Sequence, residues 1–292
     1  MPRILHSSPH IPGKWIAAHG FDPRALLPSV GGTGDDGLPA EGICAYARCW
    51  MRAALAEPDA AGIVVARTCD QMRRIFEILH AQSRVPCLLF DLPATWQSAQ
   101  ARRQYAGELE RLGRFLLDLG GRRPSEPDLR EAMSQPKAGR APGPDAAGSP
   151  LIPLALAGAH PIAEDALWLR MCEERAGRIV IDLTLPEGPR FDRRAAGDPF
   201  EELADGCFDA IEEIFQRPNS RFYRRLDREL RRAAVKGLVI RRYLWCDLWH
   251  AEIERLRQWA PVPVLDLEMS GGVEADRHRL STRIQSFMEM VA

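Results

Sequence analysis

Long apolar runs are missing from this sequence. No stretch approaches the roughly 20 residues that cross a bilayer, so no membrane association is expected. The opening residues, MPRILHSSPH, lack the apolar core of a secretory signal, and a cytoplasmic location is the expectation. A surplus of either charge is missing too. Lys and Arg number 39 against 40 Asp and Glu, a net charge of −1. Nucleic-acid binders normally carry a basic excess to neutralise phosphates, so nucleic acid is not an expected partner. Cysteine is scarce: seven, at positions 44, 49, 69, 87, 172, 207 and 246, are too few for a disulfide scaffold in 292 residues. No CxxC and no Cys/His pair at zinc-finger spacing occurs, which argues against a local zinc site. In a reducing compartment these cysteines are thiols, metal ligands or packing residues.

What is present is ordinary for a globular chain: 46% hydrophobic and 27% charged residues, in a length that suggests two domains. Short β-branched or Leu-rich runs read as strands at 3–6, 62–66, 87–92, 154–157, 178–183, 237–241 and 264–267. Between them apolar residues recur every three or four positions, the period of an amphipathic helix. Met72, Ile75, Phe76 and Leu79 make one stripe; Tyr105, Leu109, Leu112, Leu116 and Leu119 a longer one. Phe200, Leu203, Cys207, Ile211 and Ile214 make a third, and Leu280, Ile284, Phe287 and Val291 a fourth. Strands alternating with helices give the α/β class, with parallel sheets covered on both faces.

Residues 134–150, SQPKAGRAPGPDAAGSP, contain no large apolar side chain and read as a linker. The expected organisation is therefore an α/β domain over 1–133, a linker over 134–150 and a second α/β domain over 151–292. A weak repeat relates the two. Gly62-Ile63-Val64-Val65 precedes Cys69-Asp70, a helix and Pro86; Gly237-Leu238-Val239-Ile240 precedes Cys246-Asp247, a helix and Pro263. In both, the cysteine stands 17 residues before the proline that opens the next strand.

The repeated cysteines fall in turns leaving a strand and entering a helix. Open α/β sheets bind ligands at such turns, and a helix N-terminus favours a thiolate, the form that soft metals and iron–sulfur clusters take. Cysteine is also a common buried hydrophobe, so Cys69 and Cys246 read equally well as ligands or as packing residues. Cys87, Cys172 and Cys207 lie in apolar patterns and read as packing residues. Asp70 and Asp247 read as helix caps.

The order of motifs resembles the 2-hydroxyacyl-CoA dehydratase family, which includes subunits of ATP-dependent benzoyl-CoA reductase. The resemblance is carried by Ile11-Pro12 through Ala18-His19-Gly20-Phe21-Asp22-Pro23, by Cys44-Ala45-Tyr46-Ala47-Arg48, by Thr68-Cys69-Asp70-Gln71-Met72-Arg73-Arg74, by Trp245-Cys246-Asp247 and by the tail Thr282–Glu289. It implies two Rossmann-like, flavodoxin-like domains with a 4Fe–4S cluster at their junction. Cys44, Cys69 and Cys246 would bind that cluster, leaving one iron open. It further implies an acyl-CoA substrate, a related second subunit or a homodimer, and an ATP-hydrolysing iron–sulfur activator that injects one electron. The thioester carbonyl would be reduced to a ketyl-type radical, leading to dehydration or to ring reduction. Family members are usually longer where this chain has its linker, and Lys14 and Trp15 stand where an acidic residue is common. These departures support an alternative, a non-catalytic electron-relay or scaffold subunit of the same fold. An α/β binding module without metal is a further reading.

Several features read as decoys or secondary candidates. Gly32-Thr33-Gly34-Asp35-Asp36-Gly37 matches GxGxxG, but no strand precedes it, no helix follows, and its aspartates would repel a pyrophosphate. The arginines at 217, 221, 224, 225, 228, 231 and 232 read as a clamp for CoA phosphates, as a surface for an acidic partner, or as a solvated helix face with Asp227 and Glu229 interleaved. His6, His10, His19 and His250 are candidate proton carriers. Trp245 and Trp249 read as cluster shielding or as core. No catalytic acid or base is assigned.

Overall fold

The computed structural model describes residues 1–30, 41–135, 151–191, 197–270 and 273–292. In chain order the elements are β1 (Arg3–His6), α1 (Gly13–Ala18), β2 (Asp22–Ala25), α2 (Ala45–Ala56), β3 (Ala60–Ala66), α3 (Asp70–Gln82), β4 (Cys87–Phe90), α4 (Ala99–Asp118) and α5 (Glu126–Ser134). They continue with β5 (Ile152–Gly158), α6 (Asp165–Glu173), β6 (Gly177–Asp182), α7 (Pro199–Asp209), α8 (Ser220–Ala233), β7 (Gly237–Tyr243), α9 (Asp247–Trp259), β8 (Val264–Met269) and α10 (Val273–Val291). Among the described residues no helix is long and apolar enough to cross a membrane.

The chain divides into two compact units. The first comprises Met1–Leu26, Met51–Ala141 and Pro186–Ser220, the second Leu27–Trp50, Pro142–Leu185 and Arg221–Ala292. This differs from the contiguous partition 1–133, 134–150 and 151–292. Residues 186–220 join the first unit because α7 packs its apolar face on α4. There Phe208 meets Tyr105 at 5.8 Å between ring centroids, and Arg102 pairs with Asp205 at 2.5 Å and Asp209 at 2.9 Å. Residues 27–30 belong with the second because the start of α6 holds them. Ala163 donates its amide to the Pro28 carbonyl, and Glu164 accepts from the Val30 amide at 2.9 Å. A Pro/Gly-rich stretch marks where a chain does not pack, not which unit later segments join. Residues 136–150 of the expected linker lie outside the described residues, and Ser134 closes α5.

Each unit is built on a four-stranded, wholly parallel sheet. The first has the order β2-β1-β3-β4 and the second β6-β5-β7-β8. The two orders are the same once the strands are renumbered from each unit's start, so the repeat read from the sequence is a repeat of topology. β3 and β7, the strands leading to Cys69 and Cys246, are equivalent. Each lies beside the first strand of its sheet, β1 or β5, at the point where strand order reverses, the position at which open sheets bind ligands. Ile63, Val64, Val65 and Ala66 of β3 and Leu238, Val239 and Ile240 of β7 are wholly buried, as strands covered on both faces must be. The repeated glycines also match in role. A Cβ on Gly62 would stand 2.8 Å from Leu119 and 3.2 Å from Phe115, and one on Gly237 2.5 Å from Phe287. Both let a helix aromatic lie on the strand.

Of the four helical stripes, those of α3, α4 and α10 turn inward as the period requires, with Phe76 and Leu119 half-buried at the margins. The third stripe outlasts its helix. α7 ends at Asp209, and Ile211 and Ile214 are buried beyond it.

Candidate functional site

In the second unit, Cys44 and Cys246 approach a common group of side chains. β7 ends at Tyr243; the chain turns through Leu244 and Trp245, and the Cys246 amide donates back to the Tyr243 carbonyl at 3.0 Å. Cys246 is then the N-cap of α9, whose first turn is acidic only at Asp247. Cys44, 7% exposed, immediately precedes α2, and its carbonyl accepts from the Arg48 amide at 3.1 Å. Two residues on, the Tyr46 ring meets that of Tyr243 at 6.4 Å, nearly parallel, and that of His160 edge-on at 5.5 Å. The Tyr243 hydroxyl donates to the His160 carbonyl at 3.1 Å. Tyr243 interacts electrostatically with Cys44, and its near neighbour Arg241 with Cys246. One strand end therefore serves both cysteines.

Arg241 was not among the residues that the sequence marked, although two arginines in a strand of GLVIRRY are a visible oddity. Its side chain is wholly buried. Nη1 donates to the His160 carbonyl at 2.9 Å and Nη2 to the Ala159 carbonyl at 2.6 Å, and Nη2 lies 3.1 Å from Asp165. Asp165 in turn accepts from Trp168 Nε1 at 3.0 Å and the Ile162 amide at 3.1 Å. The guanidinium also covers the Tyr243 ring, 4.8 Å from its centroid. Burial works against the cation, but the carboxylates of Asp165 and Asp182 help to hold it charged.

Cys69 occupies the equivalent turn of the first unit. It is the N-cap of α3, in extended backbone. Burial pushes its thiol up, outweighing the nearby Met72 and Gln71 amides and Thr68 hydroxyl that favour the thiolate, and its side chain makes no cap hydrogen bond. Asp70 and Asp247 are corrected here: the cysteines themselves are the N-cap residues, and the aspartates are the first helical residues. Their charge suits the helix dipole there, and Asp70 pairs with Arg73 at 2.8 Å.

The remaining cysteines divide as their surroundings dictate. All seven are thiols rather than disulfides. Burial pushes Cys172 and Cys207 each up to about 12, and Cys87 upward as well. Such thiols are poor ligands. His6, His10 and His19 are buried in the first unit, and burial lowers His6 and His19 below the usual histidine value. His10 Nε2 lies 3.0 Å from Glu213, and the Tyr105 hydroxyl donates to the His10 carbonyl at 3.0 Å. His250 is exposed on α9. Trp249 is core, edge-on to Phe222 at 5.4 Å, whereas Trp245 is 56% exposed. The arginine-rich segment from Arg221 on forms α8, and Arg217 precedes it. Arg231 pairs with Asp227, and Arg228 and Arg232 with Glu229, while Arg225 is buried and donates to the Leu185 carbonyl. Most of it is the solvated face. The GxGxxG match lies outside the described residues.

Among the described residues, no three or more His, Cys, Asp or Glu side chains are gathered closely enough to hold a metal ion. The side chains nevertheless suit an iron–sulfur group in kind: Cys44, Cys69 and Cys246 carry soft sulfur donors, each directly before a helix N-terminus. Comparison with curated proteins gave no match. The profile of the family described as 2-hydroxyglutaryl-CoA dehydratase, D-component, matches residues 12–141 and 153–291, nearly the whole chain and including all three cysteines. The chain belongs to the 2-hydroxyglutaryl-CoA dehydratase D-component family, a family of dehydratase-type subunits.

Proposed function

We propose that the protein is a subunit of an ATP-activated iron–sulfur enzyme acting on acyl-CoA thioesters, with Cys44, Cys69 and Cys246 as ligands of a 4Fe–4S cluster. The observation that carries this reading is the shared placement of the three cysteines. Each stands one residue before a helix, and Cys69 and Cys246 follow equivalent strands at the reversal point of two sheets of one topology. Family membership supports the dehydratase class and a D-component working with other subunits. A bound cluster supplies one electron and an open, Lewis-acidic iron to a thioester carbonyl.

The chain's own residues would hold that group and keep water from it. Cys69 stands as N-cap of α3, where the helix start would favour a bound thiolate against the burial that pushes its free thiol up. Tyr46 and Tyr243 form a joint aromatic surface beside Cys44 and Cys246. Activation by a separate ATP-hydrolysing iron–sulfur protein and completion by a second subunit belong to the same proposal.

The test is anaerobic purification followed by iron and acid-labile sulfide analysis, with an EPR spectrum after dithionite reduction. About four irons and four sulfides per chain are expected, falling sharply in each of Cys44→Ala, Cys69→Ala and Cys246→Ala. Full iron in all three variants, or none in the reconstituted parent chain, overturns the reading.

A further inference from the structure

We infer that Arg241 is a positioning residue for the iron–sulfur group, a fixed buried cation that offsets the negative charge gathered by the cysteine ligands. The inference rests on the cluster reading above and goes beyond it, because no ligand role falls to Arg241.

A wholly buried guanidinium is costly unless its surroundings compensate it. Here two backbone carbonyls and one carboxylate do so on the Nη side. The Nε atom is buried and makes no hydrogen bond among the described residues. The cation is thus built into β7, two residues before its end, without its donors being fully used. An arrangement serving packing alone would place an apolar residue there, as at Val239 and Ile240 of the same strand.

Its neighbours indicate what the charge serves. Arg241 covers Tyr243, whose carbonyl holds the Cys246 amide and whose ring meets that of Tyr46, two residues from Cys44. The same guanidinium fixes the Ala159 and His160 carbonyls, and His160 closes the group against Tyr46. The cation is therefore tied to the backbone or aromatic neighbours of both cysteines in this unit. Reduction of a thiolate-bound cluster adds one electron and one negative charge, with no bond formed or broken. A fixed cation in a low-dielectric site favours the reduced form, and a fixed carboxylate opposes it. Asp165, 3.1 Å from the guanidinium, is the built-in counterweight.

The experiment is an EPR-monitored dithionite titration of the full chain, reconstituted anaerobically, as parent, Arg241→Lys, Arg241→Met and Asp165→Asn. Circular dichroism checks each fold, and iron content is measured alongside. Arg241→Met should lower the reduced-to-oxidised ratio at a fixed potential about tenfold, a shift of about 59 mV for one electron. Arg241→Lys should restore most of it, and Asp165→Asn should move the ratio the other way. A purely structural role would not give opposite signs for the two partners. If Arg241→Met does not fold, the Lys and Asn variants decide alone. Unchanged potentials in iron-loaded variants, or shifts of one sign, overturn the inference and leave the cluster reading standing. A parent chain that takes up no iron overturns both.

Discussion

Gly158 and Arg241 approach so closely that a Cβ on the glycine would stand 1.9 Å from the Arg241 carbonyl oxygen. They are register partners where β5 ends and its pairing with β7 stops, and the following amide, that of Ala159, donates to the same carbonyl at 2.9 Å. Gly158 has φ +141, which L side chains rarely adopt. The chain can therefore turn at once out of β5 and present the Ala159 and His160 carbonyls to the guanidinium of its own register partner.

Gly158→Ala should disrupt this corner. Backbone strain and overpacking each cost about 1–3 kcal/mol, so a loss of about 2–5 kcal/mol is expected. Thermal or urea unfolding of the purified variant measures it. A change under about 0.5 kcal/mol would mean that β5 and β7 part at this point without penalty.

Thiol reactivity should separate the cysteines by burial. With Cys172 and Cys207 held up to about 12, the thiolate fraction at pH 8 is on the order of 10⁻⁴. Both should resist iodoacetamide in the native protein and react fully once it is unfolded. Peptide mass mapping after timed alkylation reads this directly. Alanine at either position should leave iron uptake unchanged.

The sequence carried the repeat because two requirements coincide at each copy: a glycine that admits a helix aromatic, and a cysteine at the turn out of a buried strand. Periodicity likewise revealed the inward faces of α3, α4 and α10. It could not reveal β2, Asp22–Ala25, because Asp-Pro-Arg-Ala has no β-branched residue and carries a proline that only an edge strand tolerates. Nor could it reveal that α7 returns to α4, since that contact joins residues about a hundred positions apart. Arg241 was hidden for a related reason. In sequence it is one more arginine in a chain rich in them, and its burial depends on carbonyls more than 80 residues away. The cysteines were legible as candidates by position, and the choice between ligand and packing residue came from the family resemblance.

Stability should fall on mild acidification. Burial lowers His6 and His19 below their usual 6.5, outweighing the Ser8 and Trp15 carbonyls that pull each upward. In the unfolded chain both take up a proton as pH drops through about 6.5, while in the folded chain they stay neutral until a lower pH. Their contribution is complete above pH 6.5 and is lost progressively below it, by at most about 1.4 kcal/mol per pH unit for each group. The melting temperature should decline between pH 7 and pH 5, and less steeply in a His6→Gln, His19→Gln double variant. An equal slope in that variant would assign the acid sensitivity to other groups.

Trp245 holds a left-handed backbone, φ +68, in the turn that delivers Cys246. Most positions lose stability when alanine is replaced by glycine, because glycine has more freedom to give up in folding. A left-handed position reverses that order, since a Cβ costs about 1–2 kcal/mol there. Comparing Trp245→Ala with Trp245→Gly removes the indole from both sides and leaves only the backbone term. The glycine variant should be the more stable by about 1 kcal/mol in thermal unfolding. Such strain in a residue more than half exposed is not repaid by packing. The turn is then held in place by its anchors, the Tyr243 carbonyl on the Cys246 amide and the Met269 carbonyl on the Leu244 amide. If alanine proves the better residue, those anchors do not impose the turn, and the position of Cys246 is set by α9 instead.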